Sequence, residues 1–271
     1  GPNGMDGRPG WHIECSAMSM DILGETFDIH GGGIDLQFPH HEDEIAQSEA
    51  ATGKTFARFW LHNGHIRVNK EKMSKSLGNF FTIKEILEKC NPLVLRYFLL
   101  STHYRMPVEF TDDLLEQAKN SLMRVQDCYR AVARIANGKP DNDTNPFDLP
   151  AIIKTARLEF EKAMDNDFEI SAALGAIFDF VAKANIDLKN GDISILQAKE
   201  IVSFFHSIDS VLGVIVTKEE SDTEIEWLIS ERNEARKNKN FARSDEIRDQ
   251  LQKKGIILED SSGGTTWKRA L

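Results

Sequence analysis

Lys72-Met73-Ser74-Lys75-Ser76 lies just past an apolar–polar run, His65-Ile66-Arg67-Val68-Asn69, and Gly78-Asn79 follows it closely. Two ammonium groups and two hydroxyls on a short loop suit closure over a polyphosphate. Lysine is a compact charge that stabilises phosphate oxygens as negative charge develops on them. An arbitrary pair of lysines in a loop is most often a solvated basic face. The intact pentapeptide is far more specific, and it makes Lys72 and Lys75 candidate phosphate ligands.

The chain before this loop reads as α/β. Thr26-Phe27-Asp28-Ile29-His30 has the pattern of a short strand that ends in three glycines. Residues 41–51, rich in Glu and Ala, predict a helix. Residues 59–62 and 65–68 read as strand pieces around the turn pair Asn63-Gly64. After the loop, Thr82-Ile83-Lys84-Glu85 is a capping box that starts a helix. Asn91-Pro92 interrupts it, and 93–100 resumes an apolar helical run.

From Thr111 the pattern changes. Leu114, Leu115, Ala118, Leu122, Val125, Cys128, Val132 and Ile135 recur at helical spacing. Gly138-Lys139-Pro140 stops that helix, and 141–150 is a polar connection. Helical patterns over 151–164, 170–186 and 193–212, joined by short loops, predict an antiparallel bundle. A last segment starts near Thr223. It holds helical patterns at 225–237 and 242–254, a stop at Gly255, and strand-like pieces at 256–258 and 265–267 joined as a hairpin by Gly263-Gly264.

The 271 residues allow two or three domains and a sizeable core. A hydrophobic content of 41% with 28% charged residues is that of an ordinary globular protein. No apolar run reaches the roughly 18 residues of a membrane helix, so no membrane partner is expected. No secretory signal pattern is present. Cys15, Cys90 and Cys128 are too few and too scattered for a disulfide framework, so a cytoplasmic location is expected. The net charge of -10 weighs against indiscriminate nucleic-acid binding, yet it allows a local basic stripe.

Two further clusters carry chemistry. Cys15 is followed by His40 and Glu44, whose spacing puts them on one helix face if a helix begins after Pro39. Thiolate, imidazole and carboxylate are all Zn²⁺ ligands, and three protein ligands with an open position mark a reactive site. Taken alone, a single cysteine is usually a small core residue, and a His–Glu pair four apart is usually on the surface. His41-Glu42 begins like a zinc-protease motif, but Ile45 stands where its second histidine belongs. In His30-Gly31-Gly32-Gly33-Ile34-Asp35 the glycines allow close approach of a ligand, and Asp35 can accept hydrogen bonds from a ribose. Any tight loop would also explain a glycine triplet, and the dinucleotide fingerprint is absent.

Together these stretches carry a resemblance. Gly7-Arg8-Pro9-Gly10-Trp11-His12-Ile13-Glu14-Cys15, His30 to Asp35, Phe38-Pro39-His40-His41-Glu42 and Lys72 to Ser76 occur in the order found in cysteinyl-tRNA synthetases. The chain is similar to that family throughout, to Gly255-Ile256-Ile257-Leu258-Glu259-Asp260 and Gly264-Thr265-Thr266-Trp267. The pentapeptide resembles the nucleotide loop of the class I synthetases.

The resemblance implies a partial Rossmann-like catalytic domain, a helical bundle and a small α+β C-terminal domain. It divides the chain into 1–66 with the zinc ligands, 67–110 with the lysine loop and stem contacts, a bundle at 111–216 and an anticodon-binding domain at 222–271. It implies Zn²⁺ on Cys15, His40 and Glu44, with Trp11 lining a pocket for L-cysteine. Gly32, Gly33 and Asp35 would hold the adenosine of ATP, and Lys72 and Lys75 its triphosphate with Mg²⁺. Phe241, Asp245 and Asp260 would meet the anticodon of tRNA(Cys). The implied reaction joins cysteine to its tRNA through cysteinyl-adenylate, and a monomer is expected.

Family members also carry an earlier zinc-ligand cysteine and a His-Ile-Gly-His motif, and neither occurs in these 271 residues. Gly1-Pro2-Asn3-Gly4-Met5 has the look of a protease-cleavage scar, so a fragment inactive by itself is expected. Two rival readings remain: a ligase joining cysteine to an amino sugar, and a tRNA-binding module with a vestigial catalytic half.

Overall fold

The computed structural model describes residues 4, 9–68, 70–73, 80–138, 149–216, 223–261 and 264–269. Ser74, Lys75, Ser76 and Gly263 lie outside the described residues, as does most of the 141–150 connection.

The first part is a βαβ unit. Helix α1 (Trp11–Leu23) leads into strand β1 (Phe27–Gly33). A short 3-10 turn (Ile34–Leu36) and a π-type turn (Gln37–His41) run into helix α2 (Glu42–Thr52). Gly53 ends α2 with φ +69°, a left-handed value that glycine adopts without strain. Strand β2 (Ala57–Asn63) then pairs parallel to β1, from Phe27↔Ala57 to Gly33↔Asn63. Two parallel neighbours need a crossover, and α2 supplies it. The three glycines do not end the strand, as expected, but continue it beside Leu61, His62 and Asn63.

The two strand pieces around the turn pair Asn63-Gly64 do not pair with each other. Strand β3 (Ile66–Val68) joins a different sheet, antiparallel to β4 (Glu71–Lys72) and parallel to β5 (Val108–Phe110). Gly64 is needed there for another reason: its N–H donates to Tyr104 O at 2.7 Å, and a Cβ would lie 2.3 Å from Met106 O. Between β4 and β5 lie α3 (Ile83–Leu87) and α4 (Pro92–Leu100). Thr82 and Glu85 form the expected capping box, and Asn91 caps α4 with Pro92 in its first turn.

Helices α5 (Asp112–Ala136), α6 (Leu149–Asp165), α7 (Ile170–Asn190) and α8 (Ile195–Leu212) form the bundle. Leu122, Ile177, Phe180, Phe204 and Phe205 are among its fully buried side chains. The same core continues into Ile86, Val94, Tyr97, Phe98 and Phe110. Polar contacts reinforce this join. Tyr104 Oη and Arg105 Nε each donate to the Asp167 carboxylate at 2.8 Å, in the α6–α7 turn. No helix among the described residues is long and apolar enough to cross a membrane.

The last part has its own core. Helices α9 (Thr223–Lys237) and α10 (Phe241–Lys253) pack on the antiparallel hairpin β6 (Ile256–Ser261) and β7 (Gly264–Arg269). Ile225, Leu228, Ile229, Ile247, Leu251 and Ile256 are buried together. Arg232, itself buried, donates to both oxygens of Asp260 at 2.9 and 2.8 Å, so α9 is tied to β6 by a bidentate pair. The Arg232 hydrogen bonds, then that of Thr265, hold the Asp260 carboxyl well below the usual carboxylate range. A depressed carboxyl gives stability that is full above its unfolded value, about pH 4, and lost as pH falls toward the folded value. Arg232→Ala is therefore expected to cost about 2 kcal/mol at pH 7, toward the low side because Asp260 is partly exposed. The loss should shrink below about pH 4. Thermal unfolding of parent and variant between pH 7 and pH 3 measures both effects.

Candidate metal and nucleotide site

The site forms at the carboxyl ends of β1 and β2, where open α/β sheets place their ligands. His40 lies near the end of the π-type turn and Glu44 sits in the first turn of α2, one helical turn apart. Cys15 comes from α1, which packs on α2. One ligand atom of each of Cys15, His40 and Glu44 lies within 4.8 Å of the others. Glu44 is fully buried. Its Oε2 accepts from His30 Nε2 at 2.7 Å. Its Oε1 lies 2.8 Å from His40 Nε2, yet among the described residues no donor is aligned with it. A buried carboxylate oxygen without a donor is costly, and a cation between oxygen, imidazole and thiol would relieve it. Burial, then the charges of Glu44 and Glu14, pushes the Cys15 thiol up. Only a positive neighbour would favour its thiolate.

A second trio, His30, His41 and Glu44, also meets the distance condition for a metal. Its members are already engaged: His30 with Glu44, and His41 Nδ1 with His62 Nε2 at 2.8 Å. The orphaned oxygen faces His40, so the first trio is the better cation site. Burial, then the neighbouring histidines, pushes His41 down to about 4, so it is neutral at pH 7. Its ring lies against Gly32, where a Cβ would approach Cε1 to 2.7 Å. Trp60 stacks on His30 at 4.5 Å.

The nucleotide candidates adjoin this cluster. Gly33 lets the Asp35 carboxylate fold back, since a Cβ there would meet Oδ1 at 2.5 Å. Lys72 donates to Asp35 Oδ2 at 3.2 Å and is the leading cause that lowers the Asp35 carboxyl. The residue expected on the ribose and a residue expected on the phosphates thus meet directly. Lys75 lies outside the described residues. The Trp11 ring sits 4.0 Å from that of His40 and is largely exposed, forming a wall beside the candidate metal ligands.

In the C-terminal part, Phe241 and Asp245 share one face of α10, and both are exposed. Asp260 is less available: Arg232, Arg236 and Thr265 all donate to its oxygens.

Three family profiles match. The profile described as the class I (C) tRNA synthetase catalytic domain covers residues 1–120, and a DALR domain covers 159–217. A cysteinyl-tRNA ligase anticodon-binding domain covers 218–267. A cysteine–tRNA ligase of Bacillus velezensis is 49% identical over 264 residues, spanning 97% of this chain and 57% of the relative. One from Geobacter sulfurreducens is 50% identical over 285 residues, spanning 97% and 58%. The chain belongs to the cysteinyl-tRNA synthetase family.

Within that family the chain spans somewhat over half the length of the curated relatives it matches. The fold agrees with a class I synthetase. The ternary complex of Agrobacterium radiobacter LeuRS with tRNA and LeuAMS superposes with a TM-score of 0.56 at 18% identity, over 69% of this chain and 26% of that one. The expected α/β part followed by helical domains is therefore the observed architecture.

The candidate site also contains residues that motif reading did not single out for a role: His12, His30, Asp43, Trp60 and His62. One signal was available. Six of the chain's eight histidines, at 12, 30, 40, 41, 62 and 65, fall in the first quarter of the sequence. Gly32→Ala is expected to push on the His41 ring and destabilise the chain by about 1–3 kcal/mol, while Gly31→Ala, whose Cβ would meet only ordinary contact at 3.6 Å, should cost less. Urea unfolding of the two variants makes the comparison.

Proposed function

We propose that the chain is the zinc-bearing and tRNA-facing part of a cysteine–tRNA ligase. The observation that carries this is the Cys15–His40–Glu44 cluster with its orphaned Oε1, set at the strand ends beside Asp35 and Lys72. The donor set of thiol, imidazole and carboxylate suits Zn²⁺. Bound there, Zn²⁺ would prefer the soft thiolate of cysteine to the hydroxyl of serine, a distinction that size alone makes by only about 1–3 kcal/mol.

The residues of the chain would then act on the two ends of the substrates. Trp11 walls the cysteine pocket. Asp35 accepts from the ribose of ATP, which frees Lys72 to turn toward the phosphates. One carboxylate oxygen of cysteine attacks the α-phosphorus, and the bond to the β-phosphate oxygen breaks. Lys72 and Lys75, with Mg²⁺, stabilise the charge that passes onto pyrophosphate. In the second step a hydroxyl of the tRNA's terminal adenosine attacks the cysteinyl carbonyl, and AMP leaves. The bundle would lie along the tRNA, and the C-terminal unit would reach its anticodon. Phe241 would offer a stacking face and Asp245 an acceptor. Asp260, already paired, would chiefly hold Arg232 and Arg236 in place. The anticodon-domain match supports tRNA over an amino sugar as acceptor.

The chain spans 57% of the length of its relative and has no His-Ile-Gly-His motif. By itself it should take up about one Zn²⁺ and bind tRNA(Cys) without catalysing cysteine-dependent exchange of pyrophosphate into ATP. Cys15→Ala should lose the zinc and keep tRNA binding. Metal analysis, filter binding and exchange assays test each part. Exchange at the rate of a full-length relative, or a chain that binds no zinc, would refute the corresponding part.

A further inference from the structure

A chain of three polar side chains stands behind the metal ligand His40. His40 Nδ1 lies 2.8 Å from His12 Nδ1. On its other side, His12 Nε2 lies 3.3 Å from Asp43 Oδ2. His12 comes from α1, Asp43 from the first turn of α2. None of the residue roles derived above uses His12 or Asp43.

The order of donors along this chain follows from its end. An ionised carboxylate only accepts, so the nitrogen beside Asp43 suits the proton of His12. That leaves His12 Nδ1 as an acceptor, and His40 Nδ1–H must be the donor facing it. His40 Nε2 then carries a lone pair, and it lies 2.8 Å from Glu44 Oε1. Two acceptors so close repel unless a cation sits with them. This matches the absence of an aligned donor on Oε1 among the described residues. On the other side of the carboxylate, His30 occupies Oε2, so Glu44 also presents one defined oxygen.

We infer that His12 and Asp43 are positioning residues that lock His40 in the Nδ1–H tautomer and aim its Nε2 at the metal. The inference rests on Cys15, His40 and Glu44 being the zinc ligands. Neither residue reaches the metal position itself; Asp43 acts through His12, and His12 through His40. Partners of this kind typically change metal affinity by about 10–100-fold when removed. The arrangement also ties α1 to α2 through the site, because His12 and Cys15 are carried by the same helix.

Two measurements on the 271-residue chain decide it. Long-range nitrogen–proton NMR of histidine in the metal-free chain should show His40 protonated on Nδ1 and His12 on Nε2. In His12→Ala the His40 signal should become a tautomer mixture. Zinc affinity, measured by competition with a chromogenic chelator, should fall about tenfold in His12→Ala. His12→Gln, whose amide can accept from His40 and donate to Asp43, should recover most of the loss. Asp43→Ala should weaken zinc binding less than His12→Ala, and Asp43→Asn less again, since its carbonyl still accepts. An Nε2–H tautomer at His40 in the parent chain would overturn the relay, and so would a His12→Ala affinity within about twofold of the parent. A parent chain that takes up no zinc would instead refute the ligand set, and the tautomer measurement would still decide the relay.

Discussion

Glu44 is a carboxylate with no exposed surface, and its two oxygens face histidines from two different elements. One histidine hangs from β1, and the other lies in the turn that leads into α2. The carboxylate thereby fixes where the crossover helix sits on the parallel strand pair. An isolated charge in such a place would be costly, so the surrounding polar groups are a condition of the fold as well as of the chemistry. Ser16, Ser48, His40 and His41 are also buried in this part.

The consequence is an inversion of the usual layout. In residues 9–63 the buried positions are mostly polar, with Phe56 and Ala57 the buried hydrophobic residues. Several large apolar side chains are outside. Ile29 and Phe59 are neighbours on β1 and β2 and are 63% and 64% exposed. Ile22 and Leu23 on α1 and Phe38 beside the site are also exposed. By contrast the bundle and the C-terminal unit each close around a conventional apolar core, and they use few charged groups inside. Arg232 is the exception in the last unit, where its pairing with Asp260 adds a polar link between helix and hairpin to the apolar packing.

The helical elements were legible because their signals are local. Thr82 with Glu85, Asn91 before Pro92, and Thr111 before the long amphipathic run mark helix starts through contacts within a few residues. The same holds for the hairpin 256–269. Helix α1 gave no such signal, because its apolar residues are spread around the helix rather than along one stripe. Asn63-Gly64 misled for a related reason. Its glycine answers to the backbone of 104–107, forty residues away, and not to a local turn.

The sequence by itself determined the family, the order of its parts and three of the metal-ligand candidates, since long motifs in a conserved-looking order and i, i+4 spacing are properties of the chain alone. It also named Lys72 and Asp35, each from its neighbours. Only the tertiary structure decided that these two meet, that His12 and Asp43 stand behind His40, and that Asp260 is bound within its own unit. Hydrogen-bond partners, burial and tautomers depend on where distant segments come together. Residues 28 positions apart, such as His12 and His40, carry no local pattern that records their contact.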